Sequence, residues 1–259
     1  MRSKIYFASD FHLGIDGAVD SKSRETLIIA WLNSVEADMS ELYLVGDVFD
    51  YWYEYRNAVP KGYVRLLGKL AALSDQGVKI HLFTGNHDLW IKDYLKEEIG
   101  LEIYHHPVER EINGLKFLIG HGDGLGPGDH GYKFMKKIFS NTLCQWLFSR
   151  LHPNLGLGMM KFFSRTSRAK YPESTDFLGA EKEWLIQYCE QLIEKKDIDF
   201  FVFGHRHLAM DYLLSNKKSR YLNLGEWLHK KSYAVLDDHS FSLKFYDNPS
   251  AEYYSNHTA

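Results

Sequence analysis

Five short motifs rich in aspartate, asparagine and histidine constrain this chain more than any other feature. They are Asp10-Phe11-His12, Gly46-Asp47-Val48-Phe49-Asp50, Gly85-Asn86-His87-Asp88, Gly120-His121-Gly122-Asp123 and Gly204-His205-Arg206-His207. Each follows a short apolar run, so each stands where a strand gives way to a loop. Together they offer carboxylate, carboxamide and imidazole donors for two adjacent metal ions, with no thiolate among them. A pair of cations held in this way suits displacement at phosphorus.

The spacing between the motifs predicts the fold class. Apolar runs at 5–9, 41–45 and 79–84 read as strands, and 23–35 and 61–73 as the amphipathic helices between them. Such alternation is that of an α/β fold whose strands feed loops at their carboxyl ends. Further on, 115–119 and 200–203 read as short buried strands, and 212–214, 219–224, 232–236 and 241–246 follow at hairpin spacing, with turns at 216–218 and 237–239. These later strands predict a second, more antiparallel sheet packed on the first. A helix over 179–195 joins the halves, with Trp184, Leu185, Tyr188 and Leu192 on its apolar side. The polar tail from Asn248 is expected to fray.

Residues 124–177 fit neither sheet. They read as a helix over 132–151, a break at His152-Pro153-Asn154 and a second helix over 159–170. Aromatic and aliphatic residues from Phe134 to Phe148 form a broad apolar face. The net charge is −3, yet eight of the 31 basic residues and none of the 34 acidic ones fall between His130 and Lys170. Because the segment begins directly after the fourth motif, it is expected to lie over the site as a lid. Its apolar groups would suit acyl chains, and its cations a diphosphate or a membrane surface. The plainer alternative is a helical hairpin that closes the core.

Composition sets the outer bounds. With 259 residues, 45% hydrophobic and 15% aromatic, the chain fits one large α/β unit with a sizeable core. Cys144 and Cys189 match no metal-binding spacing and are expected to be reduced, buried thiols. The apolar run after Lys4 is too short for a signal peptide, and no stretch reaches the roughly 18 apolar residues of a transmembrane helix. The expectation is a soluble or peripheral protein on the cytoplasmic side.

Each motif has its own chemistry. A spacing of two in Asp10-x-His12 can turn carboxylate and imidazole to one side. Gly46 allows close backbone approach, and Asp47 can bridge two cations about 3.5–4 Å apart. Asp50 reads as a group that orients His12 or as a helix N-cap. Asn86 offers a neutral carbonyl ligand, and His87 beside it is placed to act on substrate. His121, His205 and His207, each just after a strand and close to glycine, complete the set.

In this order the motifs resemble those of the calcineurin-like metallophosphoesterase superfamily, over residues 10–207. The resemblance implies a single metallophosphoesterase domain over 1–259, an α/β two-sheet β-sandwich flanked by helices, with 124–177 inserted as a helical lid. It implies that Asp10, His12 and His207 bind one metal and Asn86, His121 and His205 the other, with Asp47 bridging. His87 would polarise the phosphoryl group or protonate the leaving oxygen, alongside Asp47 as a catalytic residue. Two divalent ions are expected, with Mn, Fe and Zn all compatible with the donors.

A narrower resemblance is carried by His121-Gly122-Asp123, Asp129, Tyr132, Ser164-Arg165-Thr166-Ser167-Arg168 and Leu222-Asn223-Leu224-Gly225-Glu226-Trp227. These are similar to the UDP-2,3-diacylglucosamine diphosphatases of lipid A synthesis. Membership would imply cleavage of that acylated sugar nucleotide to UMP and 2,3-diacylglucosamine 1-phosphate, with Mn2+ and attack at the nucleotide-side phosphorus. It would also imply peripheral attachment to the cytoplasmic face of the inner membrane. Asn86, His87, Asp129, Tyr132, Ser167 and Arg168 become candidate substrate contacts. One departure stands out: the best-known branch of that family has arginine where this chain has His87, the residue typical of the wider superfamily. The rival readings are a phosphoesterase of another nucleotide diphosphate or phosphodiester, a nuclease whose binding would weaken with salt, and a non-enzymatic scaffold. A scaffold would be expected to lose ligands, and all seven are present. No nucleic-acid partner is expected.

Overall fold

The structure, a computed structural model, describes residues 2–17, 19–128, 130–170 and 176–257, without the side chains of 167–170. Strands β1 (Lys4–Ala8), β2 (Met39–Val45) and β3 (Lys79–Phe83) pair in parallel. Between them run α1 (Ser21–Val35) and α2 (Val64–Asp75). After α3 (Tyr94–Ile99), β4 (Glu102–Tyr104) adds a further parallel strand beside β3. An antiparallel hairpin, β5 (Val108–Ile112) and β6 (Leu115–Ile119), opens the second sheet. Three helices follow, α4 (His130–Phe139), α5 (Thr142–Phe148) and α6 (Pro153–Lys170), and then α7 (Trp184–Ile193). The chain ends with β7 (Phe200–Phe203), β8 (Met210–Leu213), β9 (Arg220–Asn223), β10 (Ser232–Asp237), β11 (Ser240–Phe245) and β12 (Tyr254–Ser255).

Two six-stranded sheets result, in the orders β11-β10-β1-β2-β3-β4 and β12-β8-β9-β7-β6-β5. Strand alternation explains why they stack. From β1, Ile5 and Phe7 enter the layer between the sheets, where they meet Phe117, Phe200 and Phe241. Tyr6 and Ala8 point the other way, towards the layer that α1 and α2 cover with Ile28, Trp31, Leu66 and Leu70. The second sheet is covered on its outer face by Leu185, Ile186 and Cys189 of α7. The layering is helix, sheet, sheet, helix, an α/β sandwich as the sequence predicts.

The departures from expectation have local causes. The hairpin β10–β11 joins the first sheet, because β10 pairs antiparallel with the side of β1 that β2 leaves open. The tail does not fray throughout, since β12 pairs with β8 and Tyr254 stacks on Phe177. The helix expected over 132–151 is two, because the Asn141 side chain accepts from Leu143 N and Cys144 N and starts α5 afresh. Pro153 opens α6 instead of breaking it, as its missing N–H allows at a first helical position. Helix α7 starts only at Trp184, which is half exposed, and Cys144 is only partly buried while Cys189 is fully so.

No described side chain of helices α4, α5 and α6 belongs to the three core clusters. These helices meet the loops at the strand ends of both sheets, α4 through Tyr132 and Lys136 on Asp123. Trp90 Nε1 donates to Phe139 O at 2.8 Å, Tyr53 OH donates to Gln145 O at 2.9 Å, and the Phe148 ring packs against Tyr53 and Trp90. Phe134, Leu143, Trp146, Leu147, Phe162 and Phe163 are exposed. No helix among the described residues is long and apolar enough to cross a membrane.

Candidate metal centre

The five motifs meet at one edge of the sandwich because β1, β2, β3, β6 and β7 all end there. Backbone pairing continues past the strands and locks the loops together. Asp10 N donates to Gly46 O, His12 N to Asp47 O and Leu13 N to Val48 O, at 2.9–3.1 Å. On the other sheet Gly204 N donates to His121 O at 3.0 Å. Side chains then join the sheets: the Asp10 carboxylate accepts from Ser9 Oγ and from His205 N. Asp47 Oδ1 accepts from His87 N at 2.8 Å.

These loops are strained. Asp10, His12, Asp47, His205 and His207 have φ of 56°, 46°, 51°, 66° and 54°. A side chain in that left-handed region costs about 1–3 kcal/mol, and such outliers gather at functional sites. The glycines explain how the loops approach so closely. A Cβ on Gly46, itself at φ 87°, would strike the His121 ring, and one on Gly85 would strike the Asp47 carboxylate.

The geometry brings acceptors together on common points. Asp10, His12 and His207 offer atoms within 4.8 Å of one another, as do Asp10, Asp47 and His121. His207 Nε2 lies 3.0 Å from Asp10 Oδ1 and 3.0 Å from His12 Nε2, so two imidazole nitrogens face each other. Asp10 Oδ1 is buried without a hydrogen-bond partner. His121 Nδ1 faces Val45 O at 2.9 Å; a carbonyl only accepts, so the neutral ring carries its proton there and turns its Nε2 lone pair inward. That Nε2 lies 3.2 Å from Asn86 Oδ1 and 3.3 Å from Asp47 Oδ2. The His205 ring lies 5.2 Å from that of His121. An orphaned carboxylate oxygen and converging lone pairs are what a cation would satisfy, so the residues fit a pair of divalent ions.

The charges respond to this crowding. Burial opposes ionisation of Asp47, but the His121 and His87 rings outweigh it and hold the carboxyl well below its ordinary range. Burial likewise opposes charging His121, yet Asp47 draws its pKa well above the usual value. For His205, burial and then the neighbouring His121 push the pKa down.

His87 stands with His12 and Asp47 in a third group of close donors. Its Nδ1 lies 3.1 Å from Asp50 O, and Asp50 Oδ1 sits 3.4 Å from His12 Nδ1 and 3.6 Å from His87 Nδ1. Asp50 is thus placed beside both His12 and His87. Tyr132 reaches the same edge: its hydroxyl donates to Asp123, and its ring lies 6.3 Å from that of His205. Asp129 and the side chains of Ser167 and Arg168 lie outside the described residues.

Several supporting residues escaped the motif reading. Asp88, fully buried, accepts from Val48 N, Phe49 N and Gly85 N, and so ties the second motif to the third. Burial, and then the Asp47 charge, push its carboxyl up to about 7. Its place inside Gly85-Asn86-His87-Asp88 was the available signal. Arg24, 1% exposed, donates to the carbonyls of Phe11, His12, Ile15 and Val19 and so shapes the first loop. Nothing in the α1 pattern marks it. The Leu222–Trp227 stretch also braces the site: Asn223 Nδ2 donates to Gly204 O, and Trp227 N donates to Asp10 O at 3.1 Å.

The model of the calcineurin-like phosphoesterase family matches residues 3–209, and the chain belongs to that family. It is a hydrolase of a family that works with a dinuclear metal centre, and the clusters above are candidate ligands for one. Its relatives are narrower in kind. The chain is 40% identical to a UDP-2,3-diacylglucosamine hydrolase of Porphyromonas gingivalis, over 94% of this chain and 98% of that protein. Proteins of the same name from Tolumonas auensis and Aeromonas hydrophila are 26% and 24% identical, over 92% and 88% of this chain and 94% and 92% of theirs.

Proposed function

We propose that this chain hydrolyses the pyrophosphate bond of UDP-2,3-diacylglucosamine, giving UMP and 2,3-diacylglucosamine 1-phosphate. The near-full-length likeness to the Porphyromonas gingivalis hydrolase carries this reading, and it is supported by a complete set of seven donor residues. In it Asp10, His12 and His207 would hold one divalent ion and Asn86, His121 and His205 the other, with Asp47 contributing to both. When bound, such a pair of cations would supply Lewis acidity at phosphorus and lower the pKa of water towards neutrality. Mn2+ suits a donor set of oxygens and imidazoles without thiolate.

The chain's own groups do the rest. Asp50 O accepts from His87 Nδ1–H, which leaves Nε2 as the nitrogen that holds or gives up a proton at the phosphoryl or leaving oxygen. The strained loops fix donor positions before substrate arrives, so little reorganisation is needed during the reaction. A cavity of about 540 Å³ opens beside His121 and Asp123, between α4 and the His105–Pro107 turn, with Lys133, Phe134 and Lys137 on its wall. Cationic and apolar groups together suit an acylated, phosphorylated ligand, and Asn86, His87, Asp129, Tyr132, Ser167 and Arg168 are the contacts we assign to it. In this reading the helical insertion over 124–177 acts as a lid. Its exposed apolar and basic groups would rest on the cytoplasmic face of the inner membrane, where an acylated substrate resides.

The test is UMP release by the purified protein with Mn2+ in detergent, with Asp47→Ala as control. Release that needs both Asp47 and the metal is the expected result. Hydrolysis of a simple aryl phosphodiester without any UMP release would keep the metal chemistry and remove the substrate.

A further inference from the structure

Helix α6 buries few of its described side chains. Of its described side chains, two positions are buried, Gly156 and Ser164, eight residues apart and so on one side of the helix. Gly156 lets α6 lie against Tyr55 and Phe148. Ser164 does something different. A serine hydroxyl in a helix commonly bonds the carbonyl one turn back, but here Oγ donates to Asp50 Oδ2.

Asp50 is the carboxylate whose other oxygen lies at ion-pair distance from both His12 and His87. It is 2% exposed, and a buried carboxylate is held in one orientation by the donors around it. One of its oxygens accepts from α6, and the other faces two imidazoles of the candidate metal centre. The sequence separation is 114 residues, so the bond exists only when α6 is seated on the β2 loop.

We infer that Ser164 is a positioning residue for the hydrolytic centre. By holding Asp50 Oδ2 it fixes Oδ1 against His12 and His87, and the centre is fully aligned only with α6 docked. This rests on the proposed roles of His12 as a metal ligand and His87 as a proton carrier. Partners that orient ligating histidines typically change metal affinity or activity by about 10–100-fold, and the Ser164 contact acts at one further remove.

The experiment compares wild type, Ser164→Ala, Ser164→Thr, Asp50→Asn and the Ser164→Ala/Asp50→Asn double variant. Mn2+ binding is followed by electron paramagnetic resonance, and turnover with bis(4-nitrophenyl) phosphate, which has no acyl chain for the lid to grip. For Ser164→Ala the expectation is a kcat about tenfold lower with KM unchanged, and Mn2+ affinity weakened by a similar factor. Ser164→Thr, which keeps the hydroxyl, should recover most of both. Adding Ser164→Ala to Asp50→Asn should cost nothing further, since the bond is already lost. Wild-type kcat and affinity in Ser164→Ala would overturn the inference, as would a tenfold loss repeated in the Asp50→Asn background. If Ser164→Ala does not fold, the comparison of Asp50→Asn with wild type and Ser164→Thr decides: unchanged affinity and kcat in Asp50→Asn would equally overturn it. A wild type that binds no Mn2+ would instead sink the functional reading on which the inference stands.

Discussion

At the scale of single residues, the centre is made by backbone conformations that side chains alone would not choose. Five of the seven donor residues sit at positive φ, and Gly46, Gly85 and Gly204 of the motifs stand where a methyl would collide. Gly85→Ala should therefore cost roughly 10²-fold in kcat, since even a 1 Å displacement of Asp47 spoils alignment. Its metal content should fall as well, measured by plasma emission spectrometry; full metal and full activity would contradict the assignment of Asp47. His87→Gln should behave differently. It should keep its metal and lose roughly 10²–10⁴-fold in turnover, the range of a general acid or base. Normal turnover with full metal would remove His87 from the mechanism. That the five motifs would converge was legible in sequence because each stands at a strand end. The bonds of Arg24 and Ser164 were not, because their partners are a loop carbonyl set and a carboxylate remote in the chain, and neither leaves a periodic trace.

At the scale of elements, the strands were more legible than their partners. The alternation in β1, β6, β7 and β10 is written in apolar runs, whereas the pairing of β10 with β1 spans more than 220 residues and depends on an open sheet edge. Short pieces such as β4 and β12 carry too few residues for a pattern and are fixed by their neighbours. One such neighbourhood sets an acid sensitivity. Glu41 on β2 bonds His81 on β3 at 3.1 Å, and that bond, partly offset by burial, holds its carboxyl below the ordinary 4.5. The unfolded chain then binds the proton more readily than the folded one. This contribution is fully present above pH 4.5 and is lost as pH falls through the lower folded value. The melting temperature of wild type should exceed that of Glu41→Gln near neutral pH, and the gap should close on acidification below that point. A gap that widens would contradict this.

Helices α4, α5 and α6 make a second prediction at this scale. Phe148 packs inward against Tyr53 and Trp90, while Trp146 is exposed beneath the Arg150 guanidinium at 4.7 Å. Phe148→Ala should loosen the seat of α5. It should impair hydrolysis of the acylated sugar nucleotide severalfold more than that of an aryl phosphodiester. Equal losses on both would count against a lid that serves acyl chains.

At the scale of the whole molecule, the sandwich exists to bring the ends of five parallel-running strands from two sheets to one edge. The order of motifs along the chain carried that much, since each apolar run ends in donor residues. What it could not carry is which sheet takes the β10–β11 hairpin, or how lightly α4, α5 and α6 rest on the core. The apolar pattern of those helices, read as a face turned towards the site, is in large part turned outward. Periodicity defines a face without saying what covers it.

The most direct test of the account is hydrolysis of UDP-2,3-diacylglucosamine by the Mn2+-loaded protein in H2(18)O, with both products weighed by mass spectrometry. The account predicts one heavy oxygen in UMP and none in 2,3-diacylglucosamine 1-phosphate, from attack at the nucleotide-side phosphorus. Label in the sugar phosphate would contradict the direction of attack, and intact substrate would contradict the function itself.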